Sequence, residues 1–213
     1  MHFIDYFDQT KILREYITDQ ELYDKIIKRY ENRKNNEKLF FMGITMQNHG
    51  GYTETYDNFP ENYYKVGRSY TDANQYLSLV HESDEAVKNL ISYFSKVDDP
   101  VEIIFFGDHQ PSLNSNFYPI LNGKGLTGLT EDELEKLYTV PFFIWTNYDT
   151  PEETVDITSL DYLSTMALER AGIELPAYNK FLADMQEVVP AINSRGYYSK
   201  SKGCYLHIDE AEG

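Results

Sequence analysis

The sequence predicts an α/β fold in which a mostly parallel sheet is flanked by helices. Three short apolar segments, rich in β-branched and aromatic residues, have the composition of strands buried on both faces, and they span 38–46, 101–106 and 139–145. Between the first two, apolar residues recur every three or four positions, which predicts an amphipathic helix from about Ser69 to Lys96. Strand, helix and strand in this order form a βαβ unit, for which a right-handed crossover is expected.

Local signals support the remaining elements. Thr18 and Glu21, and again Thr130 and Glu133, have the capping-box spacing, so each pair predicts the start of a helix. Pro141 lies near the start of the third strand, where a missing backbone amide is tolerated.

Apolar residues at helical spacing predict a further helix from Ser159 to Ala171, with Gly172 at its stop position. From Pro190 onward the sequence is polar, and residues 196–203 are typical of turns or a β-ribbon.

Composition narrows the class of protein. The 213 residues, 41% of them hydrophobic, are enough for one domain with a sizeable core. The net charge of −16 argues against nucleic-acid binding and against adhesion to an anionic membrane by charge alone. Cys204 is the only cysteine, which excludes an internal disulfide and a cysteine zinc cluster. With no evident signal peptide and no run approaching about 18 apolar residues, we expect this chain to be soluble.

Asp108 and His109 follow the second predicted strand directly. Gly107 breaks that strand, and a turn at glycine lets two consecutive side chains aim at one point. A carboxylate oxygen with an imidazole nitrogen suits zinc or manganese better than calcium, which prefers oxygen ligands alone. The same dipeptide is also consistent with an aspartate that caps a turn beside an ordinary surface histidine.

His49 lies just beyond the carboxyl end of the first predicted strand. Ligands of open α/β sheets bind outside the carboxyl ends of the strands, so His49 and the Asp108–His109 pair are expected to share one site. A tyrosine-rich loop follows His49 and is suited either to packing on the domain or to holding a glycerol or sugar group; its tyrosines are Tyr52, Tyr56, Tyr63, Tyr64 and Tyr70.

Four strings carry a family resemblance because they occur together in one order. Residues 45–52 (TMQNHGGY), 83–87 (SDEAV), 106–111 (FGDHQP) and 140–145 (VPFFIW) resemble segments of the lipoteichoic acid synthase-like phosphoglycerol transferases. These enzymes form part of the sulfatase branch of the alkaline phosphatase superfamily. The resemblance covers roughly residues 15–185 and implies a partial alkaline phosphatase-like fold.

The resemblance implies roles for three residues. Asp108 and His109 match the family's carboxylate and imidazole ligands to a divalent ion, usually manganese, with zinc, magnesium or calcium as alternatives. His49 matches a histidine that contacts the substrate phosphate. Gly51 departs from the family, which often has proline there, and this difference loosens the turn without removing His49.

The family's upstream acidic metal ligand and threonine nucleophile have no counterpart in the 48 residues before His49. No catalytic nucleophile is therefore assigned in this chain. Residues 1–189 are interpreted as the C-terminal portion of a sulfatase-like catalytic domain, and residues 190–213 as a polar C-terminal extension. We expect the isolated chain to be inactive and to bind metal weakly or not at all, because two ligands make an incomplete site.

The resemblance further implies a membrane-anchored parent enzyme whose catalytic domain is extracellular. Its donor would be a phosphatidylglycerol-like lipid and its acceptor a glycerophosphate polymer of the cell envelope. A sulfatase or phosphodiesterase of the same superfamily is the first alternative, and a standalone non-catalytic binding module is the second. A half-domain is also expected to expose a sheet edge, which favours self-association.

Overall fold

The computed structural model describes residues 4–59 and 70–210, and it divides the chain into two compact units. The first unit comprises residues 1–98 and 111–123, and the second comprises residues 99–110 and 124–213. Each unit combines helices with short strands, which agrees with the predicted α/β class.

The first unit consists of a small β-hairpin and helices. After a 3-10 turn at Ile4–Tyr6, strand β1 pairs antiparallel with β2, and the helices α1, α2 and α3 follow; the bounds are Ile12–Leu13, Tyr16–Ile17, Asp19–Glu31, Thr71–Phe94 and Tyr118–Asn122. Helices α1 and α2 pack against each other. A buried cluster lies beneath the hairpin and the loop after His49; it contains Tyr52, Phe59 and Leu79, with Leu13, Tyr56, Tyr76 and Leu113 packed against it.

Helices α1 and α2 begin near the positions that the sequence predicts. Helix α2 lies within the predicted range, although Ser69 is outside the described residues. Thr18 caps α1, and its hydroxyl accepts a hydrogen bond from the Glu21 amide at 3.2 Å. The Glu21 carboxylate accepts instead from the Asp8 amide at 2.9 Å and pairs with Lys25 at 3.2 Å.

Residues 38–46 are not a buried strand, contrary to the sequence-based prediction. They have no regular secondary structure, and Phe40, Met42 and Ile44 are mostly exposed, Phe40 at 89%. One side of the segment meets α1, since a Cβ added at Gly43 would lie 3.0 Å from Leu22 Cδ2. A strand needs a neighbour to pair its backbone amides and carbonyls, and the described residues supply none here.

In the part of the second unit that the structure describes, there are two small antiparallel sheets and three helices. Strand β3 pairs with β4, and β5, β6 and β7 form the other sheet; the strands span Glu102–Phe106, Phe142–Thr146, Ala191–Ile192, Gly196–Ser199 and Cys204–His207. Helices α4, α5 and α6 span Glu131–Glu135, Leu160–Arg170 and Ala177–Val188. Short 3-10 turns occupy Leu126–Gly128 and Ile208–Glu210.

The predicted parallel pairing is absent, because every strand pair in the described residues is antiparallel. In the pairing of β3 with β4, Ile104 faces Ile144, and the rings of Phe105 and Phe143 stack with centroids 5.3 Å apart. An apolar run indicates that a strand is covered, but it does not fix the direction of the neighbouring strand. The tertiary pairing decided that direction.

The C-terminal residues form the predicted β-ribbon. Strand β6 pairs with β7 from Gly196 opposite His207 to Ser199 opposite Cys204, and both strands belong to the second unit. The predicted division at residue 190 stays a prediction. In residues 4–59 and 70–210, no helix has both the length and the apolar run needed to cross a membrane.

Candidate functional site

The β1–β2 hairpin places Arg14 beneath the loop that carries His49. Arg14 is the first of two turn residues and has a φ of 55°, a left-handed conformation that glycine adopts far more readily. Arg14 is buried, with 4% of the residue exposed. A non-glycine residue in this conformation needs a compensating interaction, and the side chain provides it.

The Arg14 guanidinium binds the backbone of the His49 loop. Its Nη2 donates to the Gln47 carbonyl at 2.9 Å and to the His49 carbonyl at 2.7 Å, and Nη1 donates to Gln75 Oε1 at 3.3 Å. All three of these acceptors are neutral groups. A buried cation thus lies directly behind His49.

Tyrosine rings enclose the same guanidinium. The Arg14 Cζ lies 5.5 Å from the Tyr16 and Tyr52 ring centroids and 5.9 Å from that of Tyr56, within the range of cation–π contacts. Burial raises the pKa of Tyr52 to about 12, so its hydroxyl stays protonated and donates to the Asn48 carbonyl at 2.8 Å. Two of the predicted loop tyrosines therefore hold the loop on the domain.

A second polar network fixes the start of the loop. Ser83 on α2 donates to the Asp19 carboxylate at 2.5 Å and accepts from the side-chain amides of Gln47 at 3.2 Å and Asn48 at 2.9 Å. The Asp19 amide in turn donates to Gln47 Oε1 at 3.1 Å. Desolvation by burial raises the pKa of Asp19, and the Ser83 hydrogen bond opposes that shift. The loop before His49 is thus held from α1 and α2.

The His49 side chain itself is exposed to solvent. Its Nδ1 lies 3.2 Å from the Tyr16 hydroxyl, and the two ring centroids are 5.7 Å apart. Within residues 4–59 and 70–210, the other ring nitrogen, Nε2, makes no hydrogen bond. His49 therefore has the accessibility that a substrate-contacting histidine requires.

Asp108 and His109 follow β3 in the second unit, as predicted. Gly107 donates its amide to the Pro141 carbonyl at 3.1 Å, and a Cβ there would lie only 3.1 Å from Val140 Cβ. The close approach to β4 therefore favours glycine at the point where the chain leaves the strand. Asp108 Oδ2 and His109 Nε2 lie 3.7 Å apart, and both side chains are largely exposed.

The two side chains suit one divalent ion. With metal–ligand bonds of about 2.0–2.2 Å, two ligand atoms of one ion lie no more than about 4 Å apart, which accommodates the 3.7 Å separation. His109 Nδ1 contacts the Gln110 carbonyl at 2.9 Å, and a carbonyl only accepts, so Nδ1 carries the proton and Nε2 is free to coordinate. Gln110 donates its own side-chain amide to the Thr139 carbonyl.

Among residues 4–59 and 70–210, no group of three or more histidine, cysteine, aspartate or glutamate side chains is arranged to hold a metal. Asp108 and His109 therefore supply two potential ligands in that part of the chain, fewer than a complete metal site has. His49 belongs to the first unit and the Asp108–His109 pair to the second. The predicted shared site stays a prediction.

Sequence reasoning missed the residues that support His49. Arg14, Tyr16 and Asp19 lie more than 25 positions before His49, and no motif spacing links them to it. Of the predicted loop tyrosines, Tyr63 and Tyr64 lie outside the described residues, and Tyr70 packs against Phe117 with centroids 5.5 Å apart.

Comparison with known proteins places this chain in a family. The Sulfatase family model matches residues 2–173, so the chain belongs to the sulfatase family. The structure is also similar to the Streptococcus pyogenes phosphoglycerol transferase GacH in complex with sn-glycerol-1-phosphate. That match has a TM-score of 0.62 at 20% identity and covers 86% of this chain and 45% of GacH. The resemblance to the alkaline phosphatase superfamily is thereby confirmed.

Two curated relatives come from Rhizobium meliloti (strain 1021). The chain is 27% identical over 180 residues to a putative cyclic beta-1,2-glucan modification protein, covering 81% of this chain and 28% of the relative. It is 33% identical over 100 residues to the capsular polysaccharide biosynthesis protein RkpI, covering 47% of this chain and 17% of the relative. The chain therefore spans less than a third of the length of either relative.

Proposed function

We propose that this chain carries part of the active site of a metal-dependent phosphoglycerol transferase that acts on cell-envelope polymers. The observation that supports this most is the Asp108–His109 pair, with two potential ligand atoms 3.7 Å apart and Nδ1 of His109 held by a backbone carbonyl. The family membership supplies the chemical context for that pair.

The residues of this chain have separate roles in the proposal. Asp108 and His109 would hold a divalent ion, manganese in the first instance, which when bound polarises phosphoryl oxygens and stabilises developing negative charge. His49, an exposed residue, would contact the substrate phosphate through Nε2. The buried charge of Arg14 lies behind the His49 backbone and favours an anion in front of it.

No threonine of this chain is assigned as the nucleophile. The proposal places the nucleophile and the acidic metal ligand in the part of the parent protein that corresponds to the uncovered length of the relatives. The isolated chain is then inactive toward substrate and binds metal weakly, because covalent turnover needs an activated nucleophile.

The parent enzyme is proposed to be anchored in a membrane, with its catalytic domain outside the cell. Its donor would be a phosphatidylglycerol-like lipid, and a glycerophosphate polymer would be the acceptor. The names of the two curated relatives refer to a cyclic glucan and a capsular polysaccharide, so an envelope glycan is a further proposed acceptor. A sulfatase or phosphodiesterase is the alternative activity, favoured by the family match itself.

Metal binding by the purified chain tests the first part of this proposal. We expect the purified chain to bind Mn²⁺ weakly, as measured by electron paramagnetic resonance. Asp108→Asn is expected to abolish this binding. The matched control is Asp149→Asn, an exposed aspartate of the same unit. Binding that is the same in the wild type and in Asp108→Asn would remove these residues from the metal site.

Turnover by the purified chain tests the proposal that the nucleophile lies elsewhere in the parent protein. The purified chain with Mn²⁺ is expected to release no product from a phosphatidylglycerol donor, whereas the full native gene product is expected to be active. An immunoblot of the source cells gives the size and the membrane association of that product. Metal-dependent turnover by the purified chain would contradict the proposal that this chain carries no nucleophile. A soluble native product of this chain's size would favour the alternative of a standalone binding module.

A further inference from the structure

His49 has a defined hydrogen-bond partner on one side of its ring. The Tyr16 hydroxyl lies 3.2 Å from Nδ1, and the two rings are tilted by 57° with centroids 5.7 Å apart. A neutral imidazole carries one proton, and a tyrosine hydroxyl can either donate to a ring nitrogen or accept from it. The phenolic hydroxyl is the stronger donor and the imidazole nitrogen the stronger acceptor, so donation from Tyr16 to Nδ1 is favoured. The partner of Nδ1 therefore controls what Nε2 offers to a ligand.

The geometry of the hairpin holds Tyr16 and His49 together. Arg14, two residues before Tyr16, donates to the His49 carbonyl at 2.7 Å, and its guanidinium lies 5.5 Å from the Tyr16 ring centroid. One arginine thus contacts both the loop that carries the histidine and the ring of its partner. These contacts hold the Tyr16 and His49 side chains close to each other.

We propose that Tyr16 is a positioning residue whose hydroxyl donates a hydrogen bond to His49 Nδ1, which leaves the imidazole proton on Nε2. Tyr16 can donate to Nδ1 only when that nitrogen carries a lone pair. The proton of the neutral ring then resides on Nε2, which becomes a hydrogen-bond donor facing solvent. A donor is what phosphoryl oxygens require, since they are acceptors.

This inference rests on the proposed function only for the identity of the ligand as a phosphate ester. The tautomer of His49 is a property of the free chain and is measured without any ligand. The proposed tautomer of His49 and the proposed phosphate contact are therefore tested by different experiments.

Long-range ¹H–¹⁵N correlation spectra of the full chain distinguish a protonated ring nitrogen from an unprotonated one. They are recorded at about pH 9, well above the ordinary histidine pKa, so that the rings are neutral. The His49 signals are assigned among the five histidines by their loss in His49→Gln. We expect the wild type to hold the proton on Nε2 and Tyr16→Phe to give a mixture of both tautomers. The matched control, Tyr178→Phe on α6, is expected to match the wild type.

A proton on Nδ1 in the wild type overturns the proposal, and so does an unchanged tautomer in Tyr16→Phe. If Tyr16→Phe does not fold, the wild-type tautomer alone decides, because a proton on Nδ1 excludes Tyr16 as its donor.

Titration with inorganic phosphate and with sn-glycerol-1-phosphate then tests the ligand. We expect both to shift the His49 signals. Binding to Tyr16→Phe is expected to be about twofold weaker, because only the fraction of rings with the proton on Nε2 can donate to the ligand. If the wild type holds the proton on Nε2 but neither phosphate probe shifts the His49 signals, Tyr16 is supported as the donor to His49. The proposed phosphate contact is then contradicted.

Discussion

Arg14 shows how one residue sustains an unfavourable backbone conformation. Its φ of 55° is typical of glycine at the first position of a two-residue hairpin turn. The three hydrogen bonds of the guanidinium and the surrounding tyrosine rings hold that conformation in place. The backbone strain and the contacts of the side chain therefore have to be tested with different substitutions.

Comparing Arg14→Gly with Arg14→Ala separates these two effects. Both variants lose the hydrogen bonds, and we expect the free energy of unfolding to fall by about 1–3 kcal/mol in Arg14→Gly. Arg14→Ala keeps a Cβ in the left-handed region and is expected to lose about 1 kcal/mol more. Urea denaturation measures both values, and an alanine variant as stable as the glycine variant would contradict the strain argument.

Asp19 predicts a pH dependence of stability. Burial raises its folded pKa above the ordinary 3.8, so the folded state binds the proton more tightly than the unfolded state does. The stabilising contribution of the protonated form is complete below pH 3.8 and is lost as the pH rises through the folded pKa. Asp19→Asn removes this titration. Its stability relative to the wild type is therefore expected to increase with pH above 3.8 and then to level off.

Urea denaturation at a series of pH values measures that difference. Asp24→Asn, at an exposed position of the same helix, is the control and is expected to lack the trend. A difference between Asp19→Asn and the wild type that stays constant with pH would show that burial does not perturb this carboxyl.

At the scale of elements, the two predicted capping boxes illustrate what spacing determines. Thr130 and Glu133 form the complete reciprocal pair, with the Thr130 amide donating to Glu133 at 2.7 Å. Thr18 caps α1 in the same way, but its partner Glu21 is drawn to Asp8 and Lys25. The spacing predicted both helix starts, whereas the use of the second side chain depended on tertiary neighbours.

Within strand β6, Gly196 occupies a position at which no side chain fits. A Cβ there would lie 2.0 Å from the Leu206 carbonyl oxygen across the β6–β7 pair. Gly196→Ala is therefore expected to lower the free energy of unfolding by about 1–3 kcal/mol, as overpacking does. Gly125→Ala is the control, because its φ is −69° and no atom lies within 4 Å of the added Cβ. Equal stability of the two variants in urea denaturation would contradict the close approach.

At the scale of the whole molecule, charge and exposed apolar surface act in opposite directions. The net charge of −16 keeps copies of the chain apart. The exposed side chains of Phe40, Met42 and Ile44 form an apolar segment without a strand partner in the described part of the chain. Segments of this kind favour pairing with another chain.

We therefore expect concentration-dependent self-association through residues 40–46, strengthened by salt, which screens the charge repulsion. Ile44→Lys is expected to weaken the association, whereas Phe181→Lys, at an exposed position on α6, leaves it unchanged. Analytical ultracentrifugation measures both effects. A strict monomer at every protein and salt concentration would contradict this prediction.

The sequence by itself determined the α/β class, the family and the position of Asp108, His109 and His49 at the ends of apolar segments. Capping and apolar periodicity depend on residues close together in the chain, and the order of the family motifs is a property of the linear sequence. Only the tertiary structure decided the antiparallel pairing of β3 with β4, the exposure of residues 38–46, and the contacts of Arg14 and Tyr16 with the His49 loop. Each of these depends on which distant backbone or side chain supplies the partner, and local sequence patterns do not encode that choice.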